Sequence, residues 1–451
     1  MTLTLDGASV NDTLCAGLAR ILAEKFDIQF GPANSRIFCL AHVVNLVVQK
    51  ILNVFNEADD PDLEDYHNHS KSFPVHYNAE DDPSLTELEA EPAPDGPVDT
   101  AEEDADVDMM NEMADELRAL SALRRLRFVC IKICSSPQRR ARFRVIAQTK
   151  YPTTKNSKGV RLALLMVIRD AIDAWVFDRR ELRSLMLNNA DWDLLEALGN
   201  LLKPFTSVTL QMSKRSTPTL PWVLPMYDIM SSHLEDARDN SSYPEVLRTA
   251  ADAGLTKLNE YYPKAQENQF NVIATLLHPS LAAGFFASVD AQHKAKGRPA
   301  SNMLEKATIL FTHAFESYKR EYDNEKAHSA QTAVLPPAIN PTSITMAASS
   351  NARSSQRSKN KLEDFWHAVE DYGAGEEQSP LTWWKDHGSN FPVASRMARD
   401  FLAIPGTSVS VERLFSQARN VCRDTRSSLK AATIKEAMLT KLWIKAGYFD
   451  L

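Results

Sequence analysis

Hydrophobic and polar positions near the N-terminus follow first a strand period and then a helix period. The run TLTL over residues 2–5 predicts a short strand that ends at Asp6, and apolar residues at helical spacing predict a helix around 14–22. Residues 36–40 predict a second strand, and one apolar face predicts a buried helix over 42–55. The order strand, helix, strand, helix predicts a small α/β element with parallel strands.

Helical periodicity dominates the middle of the chain, and low-complexity stretches flank it. We therefore expect a mostly α protein that contains one small α/β element. Pro204, Pro218, Pro221 and Pro225 are expected to mark helix boundaries in the helical region. The predicted regions are an α/β element over 1–56, an acidic linker over 57–116, a helical region over 117–331, a flexible Ala/Ser/Pro-rich linker over 332–360 and an apolar C-terminal region over 361–451.

Charge is distributed unevenly along the chain. The net charge is −8, but residues 57–116 contain 22 acidic residues and one base, Lys71. Without that stretch, 50 Lys and Arg face 37 Asp and Glu, a net charge of +13 (50 − 37). A basic remainder is compatible with contact to a phosphate backbone, and it is equally compatible with an acidic insert that offsets ordinary surface lysines. Because the acidic stretch has few large apolar residues, we expect it to be disordered and free of packed contacts.

Several classes of protein are excluded at this stage. The sequence has no run of about 18 apolar residues, so we expect no membrane span. Its five cysteines are scattered and odd in number, which favours a reducing compartment over a disulfide framework. Cys130 and Cys134 are closely spaced, but no second Cys or His pair follows them, so a structural zinc site is not expected.

The last ninety residues carry a long composite motif. It includes Trp383, Trp384 and Lys385, then Phe391 and Pro392, then ARDFLAIPGTSVSVERLFS, RSSL and a terminal helix near Trp443. This pattern resembles the C-terminal dimerisation segment of the hAT family of DNA transposases. By periodicity alone, two apolar helix stripes and many aromatic residues suit either a subdomain core or an interface.

Two N-terminal stretches also resemble the family. LTLDGASVNDTL is similar to its strand-borne TxDNAxN motif, and RIFCLAHVVNLVVQ is similar to its CxxH-x-LN motif, with Cys39, His42 and Asn45 in register. The resemblance implies an RNase H-like core, here incomplete, that is interrupted by a large all-α insertion. Taken without the resemblance, Asp6 fits a turn or cap residue, and Cys39 and His42 fit buried core groups.

The resemblance implies a metal-dependent site for cleaving DNA strands. In the family, three carboxylates hold divalent metal near the scissile phosphate. Asp6 matches the second of them and Glu412 the third, and His42 lies in a further motif of the site; read without the family, Glu412 fits a solvated helix residue. We expect the first carboxylate, its strands and the zinc-finger module to be absent, so that Asp6 and Glu412 are vestigial, weak ligands, with Mg²⁺ or Mn²⁺ as cofactor only if the site is active.

The resemblance also implies a role in assembly. We expect the chain to be transposon-derived, nuclear, self-associating as a homodimer or larger, able to contact DNA through a basic surface, and without strand-transfer activity. The alternatives are a fragment of an active transposase and an unrelated α-helical scaffold. The residues expected to form the dimerisation surface are Trp383, Trp384, Phe391, Leu414, Phe415, Ile434, Met438, Leu442 and Trp443.

Overall fold

The protein is described by a computed structural model. In the described part of the chain, most residues are helical and the strands are a single parallel pair, which confirms the predicted fold class. The described residues are 2–6, 9–31, 35–58, 61–62, 121–134, 137–150, 169–214, 217–332, 362–369 and 379–408.

The elements follow one another in this order. They are β1 (Leu3–Leu5), α1 (Ser9–Phe26), β2 (Arg36–Phe38), α2 (Leu40–Asn53), α3 (Ala122–Cys134), α4 (Pro137–Lys150), α5 (Arg169–Phe177), the 3₁₀ turn η1 (Arg180–Leu185), α6 (Asn189–Met212), the 3₁₀ turn η2 (Leu220–Trp222), α7 (Val223–Asp239), α8 (Glu245–Asn259), α9 (Tyr262–Glu267), α10 (Gln269–Leu276), α11 (Ala282–Ala295), α12 (Met303–Thr332), α13 (362–369), α14 (Pro380–His387) and α15 (Pro392–Leu402).

These elements form two compact units. The first unit is assembled from three separate stretches of chain, Met1–His42, Met212–Val223 and Ala265–Leu451. The second unit consists of Val43–Gln211 and Leu224–Lys264. Within the described residues, no helix is both long enough and apolar enough to cross a membrane.

The strand pair of the first unit agrees with the sequence. β1 and β2 are parallel, with Leu3 opposite Arg36 and Leu5 opposite Phe38. The connecting helix α1 buries Cys15 and Leu22 against the leucines of β1. The helical spacing of α1 therefore supplies the apolar face that this strand pair needs, because two short strands alone bury too little surface to be stable.

The second unit is helical and closely packed. Trp175 of α5 and Trp192 of α6 are fully buried at its centre, and Arg179 lies over the ring of Trp175 at 4.2 Å. In α8, a Cβ on Gly254 would come within 2.8 Å of Cγ1 of Ile51 in α2, so the two helices approach where a side chain is lacking.

Two expectations from the sequence are wrong in detail. Pro204 does not end a helix but lies inside α6, which continues for two more turns. A proline removes one helical hydrogen bond, and the buried side chains Phe205, Val208 and Met212 hold the helix together beyond it. The packing of the apolar face of α6 therefore outweighs the tendency of proline to end a helix.

The acidic linker was expected to lack packed contacts, which is wrong at its start. Asp62 forms ion pairs with Lys50 at 2.6 Å and with the buried Lys257 at 2.5 Å. Burial alone would lower the pKa of Lys257, but its hydrogen bonds to Asp62 and Glu260 raise it. Most of the linker predicted over 57–116, and nearly all of the one over 332–360, lies outside the described residues.

Candidate functional site at the carboxyl edge of the strand pair

The carboxyl ends of β1 and β2 meet at one edge of the strand pair, within the first unit. Asp6 follows β1 directly and Cys39 follows β2 directly. The amide of Cys39 donates to the carbonyl of Leu5 at 2.8 Å, so the two chain ends stay paired up to this point. His42 follows in the first turn of α2, where its amide donates to the carbonyl of Cys39 at 3.1 Å. The structure therefore brings Asp6, Cys39 and His42 to the same edge, in the order that the motifs predicted.

Asp6 is held by groups from α1 and β2. Its carboxylate accepts a hydrogen bond from the side-chain amide of Asn11, and its main-chain carbonyl accepts one from the Arg36 guanidinium at 2.8 Å. Arg36 is buried, forms an ion pair with Asp12 and lies 4.7 Å from the ring of Phe38. One arginine thus links the end of β1, the first turn of α1 and the sheet itself.

Residues 405–408 pass along this edge and are hydrogen-bonded to it. The Thr4 hydroxyl donates to the carbonyl of Pro405 at 2.6 Å, and the amide of Leu40 donates to the carbonyl of Gly406 at 3.2 Å. The Sγ atom of Cys39, which is fully buried, lies 3.4 Å from the Thr407 hydroxyl and 3.2 Å from the Ser408 hydroxyl. These bonds connect the two ends of the sequence.

Gly406 lies where residues 405–408 approach the neighbouring backbone most closely. Its amide donates to the Thr219 hydroxyl at 3.0 Å, from the loop that precedes η2. A Cβ at Gly406 would lie 2.7 Å from Cγ2 of Val223 and 3.1 Å from the carbonyl oxygen of Thr219. The glycine is therefore required by close backbone approach and not by its own dihedral angles.

One residue predicted for this edge could not be placed beside the others. Glu412, which was predicted to match the third carboxylate of the family, lies outside the described residues, so its distance to Asp6 stays a prediction. Within the described residues, no three His, Cys, Asp or Glu side chains come together as metal ligands. Asp6 alone supplies too few oxygens to hold Mg²⁺.

An aromatic cluster supports the C-terminal region in the first unit. Trp383 and Trp384 of α14 are buried, with ring centroids 4.9 Å apart. The ring of Phe365 stacks on Trp384 at 5.8 Å, and that of Phe391 lies parallel to Trp383 at 6.5 Å. The indole N–H of Trp384 donates to the carbonyl of Leu277 at 2.9 Å, so the polar atom of this buried ring is satisfied.

Helix α15 lies on the same unit through an apolar face. Its buried residues are Val393, Ala394, Met397, Ala398, Phe401 and Leu402. On its other side, the Tyr318 hydroxyl of α12 donates to Asp400 at 2.7 Å, and burial together with this hydrogen bond raises the pKa of Tyr318. Arg396 forms an ion pair with Glu325 and lies 5.2 Å from the ring of Tyr322. The described part of the C-terminal region is thus an integral layer of the first unit.

The residues predicted to form the dimerisation surface fall into two groups. Trp383 and Trp384 are in the interior of the first unit, and Phe391 is half-buried beside them. The others, Leu414, Phe415, Ile434, Met438, Leu442 and Trp443, lie outside the described residues. The two tryptophans accordingly stabilise the interior of the unit. They can contribute to an interface only indirectly, by supporting the surface above them.

Sequence reasoning missed the contacts made by Thr219 and by residues 405–408. Thr219 lies 187 positions from Gly406 and belongs to a loop without a motif. The signal that could have drawn attention to the segment is the sequence PGTS after a helix, in which proline and glycine end the helix and allow a close approach.

Comparison with protein families identifies the C-terminal region. Residues 349–444 match the model of the hAT family C-terminal dimerisation region. The match spans the described helices α13, α14 and α15 and the motif that contains Glu412. It confirms the resemblance to hAT transposases that the sequence predicted.

Individual relatives agree with this match. The chain is 23% identical over its whole length to the "Putative transcriptional regulator tpeD" of Talaromyces stipitatus, and it covers 46% of that protein. Over 14% of the chain it is 38% identical to the "Zinc finger BED domain-containing protein RICESLEEPER 4" of Oryza sativa subsp. japonica, of which it covers 10%. Over 15% of the chain it is 31% identical to the "Putative AC transposase" of Zea mays, of which it covers 8%. The chain spans less than half the length of each of these relatives.

Proposed function

We propose that this transposon-derived, hAT-like chain serves mainly in protein self-association, because residues 349–444 match the model of the hAT family C-terminal dimerisation region. The observation that carries the proposal is the way the described part of this region is built into the first unit. Its helices bury their aromatic and apolar faces there, and residues 405–408 are hydrogen-bonded to both strand ends. These contacts fix Ser408, the residue at which the described part of the family region ends.

The self-association surface in this proposal is formed by the apolar residues after Ser408. Leu414 and Phe415 belong to one helical stripe of the sequence, and Ile434, Met438 and Leu442 belong to another. Homo-oligomers usually form symmetric, apolar interfaces, and such stripes have the composition that these interfaces require. The relatives are named as a transcriptional regulator and a transposase, which favours a nuclear location for the assembled protein.

Light scattering coupled to size exclusion tests the proposal. The unmodified chain should elute as a dimer or larger, and Phe415→Asp combined with Met438→Asp should shift it to the monomer mass. The matched control is Leu381→Asp, because Leu381 is an exposed apolar residue of α14 within the same family region. A monomer for the unmodified chain, or equal assembly of both variants, would refute self-association through these stripes.

A second candidate function is metal-dependent cleavage of DNA strands. It is favoured by the position of Asp6 at the carboxyl edge and by residues 405–408, which lead along that edge toward Glu412 in the sequence. We propose that the two carboxylates lie within about 10 Å of each other, as a site with two metal ions requires. Against efficient catalysis, the run KYPTTKNS over residues 150–157 resembles the family's D-x-x-T-R-W-N-S stretch but has Thr154 and Lys155 in place of its Arg and Trp, so it lacks the base-stacking side chain.

Cleavage is tested directly with transposon-end DNA and Mn²⁺. We expect no nicking or hairpin formation by this chain. Reproducible cleavage that is abolished by Glu412→Gln would replace self-association with catalysis as the main activity. Cleavage that is unaffected by Glu412→Gln would indicate a contaminating nuclease.

A further inference from the structure

We propose that the exposed apolar face of α1 receives the C-terminal apolar stripes of a second copy of this chain. The inference rests on the proposed self-association and names the surface against which the residues after Ser408 pack. Helix α1 is apolar on two sides. One side buries Cys15 and Leu22 against β1, whereas the other side carries large apolar side chains that are exposed.

The exposed apolar side chains of the first unit are concentrated on α1 and the residues that follow it. Leu14 is 52% exposed and Ile21 is 41% exposed, and a spacing of seven residues places both on one side of the helix. At the end of the helix and just beyond it, Phe26 and Ile28 are also exposed. Among the described residues, twelve large apolar side chains are exposed, and four of them fall within residues 14–28. Single exposed apolar residues need no explanation, but a group of this kind indicates an interaction surface.

This face belongs to the same unit as the residues that lead to the C-terminal stripes. The first turn of α1 is held at the carboxyl edge of the strand pair, because the side-chain amide of Asn11 donates to the Asp6 carboxylate. Ser408 is held at the same edge, since its hydroxyl and its amide lie 3.2 and 3.3 Å from Sγ of Cys39. A further 43 residues of the sequence follow Ser408 (451 − 408). The stripes therefore start from the edge at which α1 begins.

The stripes match the α1 face in length and in chemistry. By sequence, Ile434, Met438 and Leu442 span eight positions of a predicted helix, which is about 12 Å at about 1.5 Å per residue. Leu14 and Ile21 span seven positions of α1, which is about 10 Å by the same measure. Two apolar helix faces of similar length can pack side by side, and this packing removes both faces from water.

A second copy is favoured as the source of the stripes. Residues 349–444, which include both stripes, match a dimerisation region. Two α1 faces packed directly on each other would bring together only a few large side chains, which is too little for the roughly 1,200 Å² that a stable interface buries. In a reciprocal exchange, the stripes of each copy pack on α1 of the other. This arrangement doubles the contact and keeps the two-fold symmetry that is usual for homodimers.

Mixing two variants of the full chain tests the reciprocal exchange. Leu14→Glu combined with Ile21→Glu changes only the α1 face, and Phe415→Asp combined with Met438→Asp changes only the stripes. Measured alone by light scattering, each double variant should have the monomer mass. An equimolar mixture of the two should regain the dimer mass, because the intact stripes of the α1 variant can pack on the intact α1 of the stripe variant.

The matched control is Ile309→Glu combined with Leu381→Glu, which changes two exposed apolar residues of α12 and α14 and should leave assembly unaltered. If circular dichroism shows a loss of helix in the α1 variant, Leu14→Gln combined with Ile21→Gln takes its place.

The outcomes separate this inference from the proposed function. Assembly of the α1 variant on its own overturns the inference and leaves self-association through another surface in place. A mixture that remains monomeric at the highest soluble concentration also overturns it, and so does a monomeric control variant. A monomeric unmodified chain would instead overturn the proposed self-association itself.

Discussion

The Sγ atom of Cys39 lies 3.2 Å from the hydroxyl of Ser408, a residue 369 positions later in the chain. The same sulfur accepts the Ser408 amide at 3.3 Å. A small, weakly polar thiol is therefore the point at which the end of β2 meets the segment that leads into the family motif around Glu412. The position of that segment is decided by a few buried polar contacts, and each of them can be tested separately.

Removing the Thr219 hydroxyl should weaken this contact. In Thr219→Val, the buried amide of Gly406 loses its acceptor, and we expect the free energy of unfolding to fall by about 1–3 kcal/mol, the cost of leaving a buried donor unpaired. Urea denaturation followed by circular dichroism measures the change. Thr308→Val is the control, because the hydroxyl of the exposed Thr308 donates to the Leu304 carbonyl of its own helix. An equal loss in both variants would show that the Gly406 contact contributes nothing specific.

Gly406→Ala should be destabilising by about 1–3 kcal/mol, because the added methyl group overpacks a site bounded by Val223 and a backbone carbonyl. Gly17→Ala provides the opposite case. Gly17 lies in α1, and nothing is within 4 Å of the position of its Cβ. There, alanine should raise stability by about 0.5–1 kcal/mol through its helix propensity. Thermal unfolding of both variants checks the sign, and stabilisation by Gly406→Ala would contradict the close packing described for residues 405–408.

His278 should make the stability of the first unit depend on pH. Burial lowers the pKa of this side chain to about 4, and the Trp222 ring lies 5.3 Å from it. Because the folded state favours the neutral ring, stability is complete above the unfolded pKa of about 6.5 and is lost as pH falls toward 4. Between pH 7 and pH 5, protonation linked to this one group should lower the free energy of unfolding by about 2 kcal/mol.

The measurement is the difference between two proteins. Urea denaturation at pH 7 and pH 5 should show that the unmodified chain loses about 2 kcal/mol more than His278→Gln, because the variant has no titrating ring. Other groups titrate in both proteins and cancel in the comparison. Equal losses would mean that His278 is not held neutral by its surroundings.

Asp191 stabilises the second unit in two ways. At the start of α6 it exchanges hydrogen bonds with Asn188, with the Asp191 amide donating at 2.8 Å and its carboxylate accepting the Asn188 amide at 2.9 Å. It also pairs with Arg125. Asp191→Asn keeps an oxygen for the capping interaction but leaves a largely buried guanidinium without its counter-charge, so we expect a loss of about 2–4 kcal/mol. Asp193→Asn, at an exposed position of the same helix, should change stability by less than about 0.5 kcal/mol.

Local patterns predicted the elements better than they predicted the contacts between them. The strands around Thr4 and Ile37, and the helices that follow them, were confirmed because residues at short spacing determine them. Pro204 was misjudged, since a buried apolar face outweighs one missing hydrogen bond. The contact between Thr219 and Gly406 could not be predicted, because it joins loops that carry no periodic pattern.

The sequence motifs predicted which residues lie together at the candidate site, but not the contacts that these residues make. Asp6, Cys39 and His42 lie at one edge, as the order of strand and helix implied. The partners of Asp6 were not predicted, because the side chain of Arg36 could equally have faced solvent. The aromatic residues of α14 were assigned to an interface on the basis of the family resemblance, since composition alone does not distinguish a buried core from a subunit contact.

The first unit is assembled from three separate stretches of chain, and this constrains the order in which the protein folds during synthesis. The Thr4 hydroxyl bonds to the carbonyl of Pro405, 401 positions later. This bond therefore cannot form until nearly the whole chain has left the ribosome. At about 5–20 residues per second, that delay is roughly 20 to 80 seconds. Through this interval, Leu14 and Ile21 of α1, which stay partly exposed even in the folded unit, are accessible to chaperones. The second unit is encoded by Val43–Gln211 and Leu224–Lys264 and is complete well before then, so nascent chains should acquire its protease-resistant helices before residues 405–408 bond to the strand pair.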